Sequence, residues 1–379
     1  MIPALPAACR RPLLLALALL LAAAGAPARR AAAFSPDEEA AYRAVFSVAA
    51  LGQPNPSAAL ATSFTLLYRG VVPHAAFALA RDAEGRSAWA YSGGHATPAA
   101  AEAAALARCR QALGALQAEC RVLARDGTLA AGAGGPGIAP RQGTLGPFRV
   151  SPLHLRRGPE AARGVLVWGH GYGGPDRDNR SVPTPGLASV LNDAGWDVLR
   201  FDRHPGEDSL FTSQPRLAAA LPALRAAGYR RVLLGGQSRG GWQAVMAASE
   251  QPELVEAVIA AAPAAHGETR RPNNHGAALE DFRRLLAGLP PGGPRALLVL
   301  FDGDEFDADP ERRAAMVEAL ARDRPAPLLA LWPQQGIAGH AGVADWRFTR
   351  LYGGCVLTLV QAPAAAAPRG LRRDPCGGG

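Results

Sequence analysis

The chain has 379 residues, of which 49% are hydrophobic, which is enough material for about two domains with a sizeable core. Its 40 basic residues are all arginine, and the formal net charge is +8. Four of these arginines lie in the first 33 residues, which contain no acidic residue, so 8 − 4 leaves +4 for the rest. No cluster of arginines interleaved with aromatic residues remains there, so the composition does not favour nucleic-acid binding.

Residues 1–33 have the pattern of a secretory signal peptide. Arg10 and Arg11 precede an apolar run at residues 13–24, which is too short for a comfortable membrane span. Small residues at positions 26–28 and 31–33 fit a cleavage site. The sequence therefore predicts an exported protein, periplasmic or secreted, with no stable membrane insertion after cleavage. An uncleaved N-terminal anchor is the alternative.

Four of the five cysteines lie beyond this leader, and an exported protein permits them to form disulfides. Sequence order favours Cys109–Cys120 and Cys355–Cys376, but four cysteines allow three pairings. None has the spacing of a metal site. We therefore predict neither a metal nor a cofactor.

Residues 34–130 are predicted to form a small α+β domain. Ser35 and Glu38 form a capping box with Pro36 at the first helical position, which predicts a helix to about residue 50. Two short strands, an alanine-rich helix opened by Thr97 and a third strand follow. The helix with one cysteine before a Cys-x-Val strand resembles a small domain of exported bacterial proteins. Glycine and proline then dominate residues 131–143, which are predicted to be a linker.

Residues 144–361 alternate apolar runs with helical patterns. Runs such as "GVLVW", "VLLGG" and "ALLVLF" are continuous rather than alternating, as in strands buried on both faces. This predicts an α/β fold with a mostly parallel, doubly wound sheet. Sites in such sheets lie at the carboxyl ends of the strands. Residues 362–379 are predicted to be a flexible tail.

The segment Gly236-Gln237-Ser238-Arg239-Gly240 lies where a predicted strand turns into a helix. Gly-x-Ser-x-Gly in this context is the pattern of a nucleophile elbow, a sharp turn that exposes a serine above the sheet. We therefore predict that Ser238 is a nucleophile. A glycine-rich turn with an incidental serine is the alternative.

A serine nucleophile needs a base and an orienting acid, which follow it in the order acid, then histidine, in this architecture. The segment "LLVLFDGDEFDAD" offers the acid: Asp304 is the first choice, Asp307 the second, and Asp302 remains open. The only histidine after it is His340, in a glycine-flanked loop after the strand "PLLALWP". We therefore predict His340 as the base.

An oxyanion hole needs two N–H groups. We expect one from Arg239, directly after the serine, and one from Tyr172 in the loop Gly169-His170-Gly171-Tyr172-Gly173-Gly174, with Gly173 as second choice. After another strand, Arg203, His204, Glu207 and Asp208 either line the pocket or belong to a polar surface loop.

With "HGYGG", "GQSRG", "FDGDEFD" and "GHAG" in this order, residues 144–361 resemble an α/β-hydrolase. The cap is minimal, with a single predicted helix at about residues 276–286, which is closer to the dienelactone-hydrolase or peptidase-like branches than to large-lidded lipases. The resemblance implies a Ser238–His340–Asp304 triad, a covalent acyl-enzyme and a small-molecule acyl substrate. It implies an esterase, with amide hydrolysis and acyl transfer left open.

Two other classes compete with this interpretation. Gly169-x-Gly171-x-x-Gly174 also matches the dinucleotide fingerprint of an oxidoreductase, but Pro175-Asp176-Arg177-Asp178 does not look like the start of its helix. A non-catalytic binding protein with a retained fold is the second, although such a protein typically loses the serine or the histidine.

Overall fold

The computed structural model describes residues 33–130, 138–266, 272–307 and 309–376. Residues 1–32 of the predicted signal peptide and residues 131–137 of the predicted linker lie outside the described residues. Within the described part of the chain, no helix is both long enough and apolar enough to cross a membrane.

The N-terminal part forms a small α+β unit around a four-stranded antiparallel sheet of order β2-β1-β3-β4. Its strands are β1 (Ala76–Arg81), β2 (Ser87–Ser92), β3 (Arg121–Arg125) and β4 (Thr128–Leu129). Its helices are α1 (Pro36–Val45), α2 (Ala58–Thr62) and α3 (Pro98–Ala112). Cys109 on α3 pairs with Cys120 at a Cα–Cα distance of 6.1 Å.

Helix α1 begins with the predicted capping box and ends earlier than predicted. The Glu38 N–H donates to Ser35 Oγ, and the Glu38 carboxylate accepts from the Ser35 N–H. Ser47 then donates its hydroxyl to the Ala44 carbonyl and caps a separate 3₁₀ turn, Val48–Leu51. The helix therefore stops at Val45 rather than near residue 50, because a serine competes for backbone hydrogen bonds.

The C-terminal part is built on a nine-stranded, mostly parallel sheet of order β13-β12-β11-β10-β9-β7-β8-β6-β5, with only β5 and β6 antiparallel to their neighbours. The strands are β5 (Thr144–Leu145), β6 (Phe148–Val150), β7 (Gly164–Gly169), β8 (Trp196–Phe201), β9 (Val232–Gln237), β10 (Ala257–Ala261), β11 (Arg295–Val299), β12 (Leu328–Leu331) and β13 (Gly370–Arg372). The helices are α4 (Gly186–Asp193), α5 (Leu210–Ala226), α6 (Arg239–Glu250), α7 (His275–Ala287), α8 (Pro310–Asp323) and α9 (Trp346–Gln361).

Both faces of this sheet are covered, as the continuous apolar runs predict. Along β7, Val165 and Val167 pack into the core beneath α5 to α8, whereas Leu166 and Trp168 pack into the core beneath α4 and α9. The predicted α/β fold with a mostly parallel, doubly wound sheet, preceded by a small α+β domain, is thus confirmed.

Residues 370–376 depart from the prediction of a flexible tail. Residues 370–372 form β13, which pairs in parallel with β12, and the Trp332 N–H donates to the Arg372 carbonyl at 2.9 Å. Cys376 lies 5.4 Å from Cys355 between Cα atoms, as a disulfide partner. The unpaired edge of β12 offers backbone groups that an added strand satisfies, and this long-range pairing leaves no local sequence signal.

The strand order determines where a site can lie. Strand β7 is flanked by β8 on one side and β9 on the other, so the chain changes direction across the sheet at this point. Loops on either side of such a switch point diverge and leave a crevice at the carboxyl ends of the strands. The loops after β7, β9, β11 and β12 all end at this edge.

Candidate active site

Ser238 occupies the turn between β9 and α6 in a conformation that few side-chain-bearing residues adopt, with φ 57° and ψ −125°. A positive φ at a residue with a Cβ stores strain that the surrounding structure must hold. The Ser238 N–H donates to the Ala261 carbonyl at 2.8 Å, and the Ser238 carbonyl accepts from the Trp242 N–H at 3.0 Å. The turn is therefore anchored to the neighbouring strand and to its own helix.

The two flanking glycines are required by close backbone contact. A Cβ on Gly236 would overlap the backbone of Gly240, and a Cβ on Gly240 would overlap the carbonyl of Gly169 at the end of β7. Any larger side chain would push the helix start away from the sheet. The sequence pattern around Ser238 thus has a steric cause in this fold.

His340 lies in the loop after β12 and contacts the predicted acid. Its Nδ1 is 2.8 Å from Asp304 Oδ1, and its ring packs against Phe306 with centroids 4.4 Å apart. The His340 carbonyl accepts from Gln237 Nε2 at 2.8 Å, which ties this loop to the residue before Ser238. Its other ring nitrogen, Nε2, is buried and has no hydrogen-bond partner, Ser238 Oγ included. Catalytic hydrogen bonds of this kind are often long in unliganded enzymes and tighten when substrate binds.

The three candidate acids have different partners. Asp302 accepts from Trp332 Nε1 at 2.8 Å, and its backbone bridges to Ala338. Asp307 lies 3.2 Å from the Arg313 Nε, and burial raises its pKa to about 6. Only Asp304 meets His340. It is 4% exposed, and its Oδ1 also accepts from the Phe306 N–H at 2.8 Å.

The glycine-rich loop after β7 passes beside the serine. A Cβ on Gly171 would lie 3.2 Å from Ser238 Cβ and 2.9 Å from Gln237 Oε1. The Gly171 carbonyl accepts from Asn179 Nδ2 at 2.9 Å. Because the carbonyl and the next N–H of a trans peptide point in opposite directions, the Tyr172 N–H points away from Asn179.

Arg239 begins α6, so its N–H is one of the helix-start groups without an intrahelical partner. Its guanidinium lies over the Tyr172 ring, 3.7 Å from the centroid, and donates to the Asp208 carbonyl. Asp208 in turn forms a buried ion pair with Arg203, at 2.6 Å. Both residues expected to supply oxyanion N–H groups are therefore braced by their side chains.

Four polar residues that follow β8 divide into two kinds. Arg203 and Asp208 are buried and make structural contacts, whereas His204 and Glu207 are exposed. The Arg203 N–H donates to His170 Nε2 at 2.9 Å, and burial, assisted by the Arg203 charge, lowers the pKa of His170 to about 4. A neutral His170 can accept this hydrogen bond at neutral pH.

Sequence reasoning missed three supporting residues: His170, Asn179 and Gln237. His170 and Gln237 act by contacts with distant segments, and Asn179 acts within the connection after β7, on a carbonyl eight residues before it, so none of the three has a strong local sequence signal. Gln237 does stand next to Ser238, and His170 lies two residues before Tyr172, and this closeness is the one available hint.

The loop after β7 does not have the structure that the dinucleotide-binding interpretation requires. No helix begins at the loop of Gly169 to Gly174: a 3₁₀ turn at Asn179–Ser181 comes next, then α4. The dinucleotide fingerprint needs a helix N-terminus at that loop to meet the pyrophosphate. Among the residues that the structure describes, no three histidine, cysteine or acidic side chains are grouped as metal ligands.

No family model matches the sequence, and no curated protein matches it. Solved structures match at low similarity. A dienelactone hydrolase from Anabaena variabilis is 21% identical with a TM-score of 0.34, and the match covers 53% of this chain and 87% of that one. A lipase from Bacillus licheniformis is 15% identical with a TM-score of 0.32, covering 50% of this chain and 90% of that one. An esterase from Pyrococcus furiosus is 14% identical with a TM-score of 0.36, covering 51% and 77%.

Proposed function

We propose that the protein is a serine hydrolase that cleaves carboxylic ester bonds of small-molecule acyl substrates. The observation that carries this proposal is the convergence of a strained, glycine-flanked Ser238 with a His340–Asp304 pair at one edge of the sheet. A serine held in this conformation has no evident structural use, whereas strain of this kind clusters at active sites.

In the first half of the reaction, Ser238 Oγ attacks the ester carbonyl carbon while its proton passes to His340 Nε2. Asp304 accepts from Nδ1–H and stabilises the imidazolium. The N–H groups of Tyr172 and Arg239 receive the negative charge that develops on the carbonyl oxygen. The tetrahedral intermediate then expels the alcohol, which takes the proton from His340 and leaves an acyl-serine.

In the second half, water attacks the acyl-serine and gives a proton to His340 Nε2. The second tetrahedral intermediate releases the carboxylic acid, and Ser238 recovers its proton. Attack by another alcohol in place of water would give acyl transfer, and attack on an amide would give peptide hydrolysis. We place ester hydrolysis first because an alcohol leaves the tetrahedral intermediate more readily than an amine, so it demands less of His340 as the acid.

The test is a pre-steady-state assay with p-nitrophenyl butyrate. We expect a burst of p-nitrophenol close to one equivalent, since an acyl-enzyme accumulates when deacylation is slower. Ser238→Ala should lower kcat by about 10⁴-fold or more. The matched control is Ser249→Ala, on the same helix, where the hydroxyl only donates to the Val245 carbonyl and activity should change less than twofold. A folded wild-type protein without turnover would instead favour the non-catalytic binding protein.

We also propose that the chain is exported and cleaved after residues 1–33 or nearby. The Cys109–Cys120 and Cys355–Cys376 pairs support this, because structural disulfides form in oxidising compartments. Expression with the full leader in a bacterial host should yield a periplasmic or secreted protein, with an intact mass that lacks the leader. Retention of residues 1–33 in the membrane fraction would support the uncleaved anchor.

A further inference from the structure

A small apolar pocket lies beside the candidate site, with a volume of about 140 Å³. Three of its lining residues adjoin the site: Gln237 precedes Ser238, Ala341 follows His340, and His170 belongs to the glycine-rich loop. Trp168, at the end of β7, lines it as well. The pocket therefore meets the site at the loops that follow β7, β9 and β12.

The opposite wall comes from the small N-terminal domain, which supplies Leu67 and Tyr91. The remaining lining comes from the segment before α4 and the turn after His340, and consists of Val182, Pro183, Thr184, Pro185, Val343 and Ala344. Both domains therefore contribute walls to the pocket.

An ion pair and two hydrogen bonds hold this wall of the N-terminal domain against the segment at residues 184–193. Arg69, which is buried, makes a bidentate ion pair with Asp193 of α4 at 2.7 Å for both contacts. One residue further on, the Gly70 carbonyl accepts from the Thr184 N–H at 3.0 Å. Ser189 Oγ donates to the Leu66 carbonyl at 2.5 Å. These contacts bracket Leu67 and fix it over the pocket.

The lining sets the chemistry of the group that the pocket accepts. None of its residues is aspartate, glutamate, lysine or arginine. Burial raises the pKa of Tyr91 to about 12 and lowers that of His170 to about 4, so both are neutral at pH 7. A dry apolar cavity of about 150 Å³ is known to hold benzene, so this space suits a phenyl group or a short alkyl chain.

We propose that this interdomain pocket binds the uncharged apolar group of the substrate ester, a short alkyl chain or a single phenyl ring, and that the N-terminal domain thereby sets substrate size. This inference rests on the proposed ester hydrolysis and assigns a function to the N-terminal domain. Each methylene transferred from water into the pocket should raise kcat/KM by roughly fourfold, until the pocket is full.

Val182→Phe tests the proposal by filling the pocket, because Val182 is half-buried and its backbone φ of −62° suits any side chain. Val48→Phe is the matched control, because it makes the same substitution at a position that is 45% exposed and does not line the pocket. The measurement is kcat/KM for p-nitrophenyl acetate, butyrate, hexanoate and octanoate, and, in a second series, for acetate esters of ethanol, butanol and hexanol.

In the wild type, we expect butyrate to exceed acetate by roughly fifteenfold and octanoate to gain nothing over hexanoate. Val182→Phe should lower the butyrate-to-acetate ratio by about tenfold, or the butyl-to-ethyl ratio if the pocket binds the alcohol side. Val48→Phe should change neither ratio. The series that responds identifies which side of the ester enters the pocket.

Leu67→Ala provides the opposite change and guards against misfolding of the filled variant. It should move the preferred chain to one or two methylenes longer, whereas Leu60→Ala, at a fully buried position of the N-terminal core that does not line the pocket, should not. Both variants are compared at temperatures where thermal melts show them folded. Chain-length ratios unchanged in both Val182→Phe and Leu67→Ala overturn the pocket while leaving hydrolysis intact. A wild type that hydrolyses no ester overturns the proposed function instead.

Discussion

The turn after β9 and the loop after β11 supply the two ends of the same candidate site, but different forces shape them. Around Ser238, backbone atoms lie so close together that only glycine fits at positions 236 and 240. In the loop of Asp302, Asp304 and Asp307, three carboxylates lie close together along the chain, and each has a different partner. A steric requirement for glycine is visible in the local sequence, whereas the partner that each carboxylate meets in the folded protein is not.

The largest effect on kcat should come from replacing one of the three aspartates of this loop by asparagine. Asp304→Asn should lower kcat by about 10⁴-fold, because an amide cannot hold the required tautomer of His340 or stabilise its cation. Asp302→Asn, which can still accept from Trp332, should stay within about fivefold of wild type in kcat. Equal losses from Asp304→Asn and Asp307→Asn would mean that the loop rearranges and that the comparison between its carboxylates fails.

The second prediction concerns Arg313, the partner of Asp307. Arg313→Met should lower the free energy of unfolding by about 4 kcal/mol at pH 8, because it leaves a buried carboxylate without its cation. The pKa of Asp307 is already raised to about 6 by burial, and losing Arg313 raises it further. Below that pKa the carboxyl is protonated and neutral, so the loss should be smaller at pH 5.

Arg312→Met, on the exposed side of the same helix, is the control and should cost little at either pH. Urea titrations of the three proteins at pH 5 and pH 8 measure the difference. A cost for Arg313→Met that is the same at both pH values would show that the guanidinium matters for packing on Phe282 rather than for charge.

The third prediction tests the steric side of the comparison. Gly236→Ala or Gly240→Ala should destabilise the fold by about 3 kcal/mol and abolish most activity, since the new Cβ meets backbone that cannot move aside. Gly276→Ala in α7, where a Cβ meets nothing within 4 Å, should be neutral or slightly stabilising. Thermal melts and ester turnover are the two readouts, and a fully active Gly240→Ala would contradict the close contact between the turn and β7.

The smallest effect should be the pH dependence that His170 contributes. Its pKa falls from 6.5 to about 4 on folding, so between these values the unfolded chain binds a proton that the folded protein does not. Stability from this group is complete above pH 6.5 and is lost as the pH falls towards 4, by up to roughly 3 kcal/mol. Asp307 has the opposite sign, because its raised pKa favours the folded state at low pH.

The comparison of wild type with His170→Gln cancels the contribution of Asp307. Glutamine can still accept from the Arg203 N–H but does not titrate, so the advantage of the wild type should shrink steadily from pH 7 to pH 4. A stability difference that is flat over this range would show that His170 does not titrate differently on folding.

Features that depend on local patterns could be predicted from the sequence, and features that depend on distant contacts could not. Continuous apolar runs predicted the buried sheet, and the glycines around Ser238 predicted the turn, because both patterns are local. The sequence also predicted His340 as the base and ranked Asp304 first among the acids, but only the structure shows that Asp304, rather than Asp302 or Asp307, contacts His340. The two cysteine pairs favoured by sequence order are the ones that the structure brings together.

What escaped prediction depends on contacts between distant segments. Residues 370–372 join the sheet only because β12 has a free edge. Arg69 looks like any surface arginine in the sequence, yet it is buried against α4 and docks the N-terminal domain. Gln237 ties the turn after β9 to the His340 loop through a side-chain amide whose partner lies 103 residues further along the chain.

The most direct measurement is labelling of the purified protein with a fluorophosphonate probe, read by intact mass. An activated Ser238 predicts addition of one probe per chain, lost in Ser238→Ala and slowed strongly in His340→Ala, with Ser249→Ala labelled like the wild type. A folded wild-type protein that takes up no probe, or a Ser238→Ala variant that is still labelled, would contradict the assignment of Ser238 as the nucleophile.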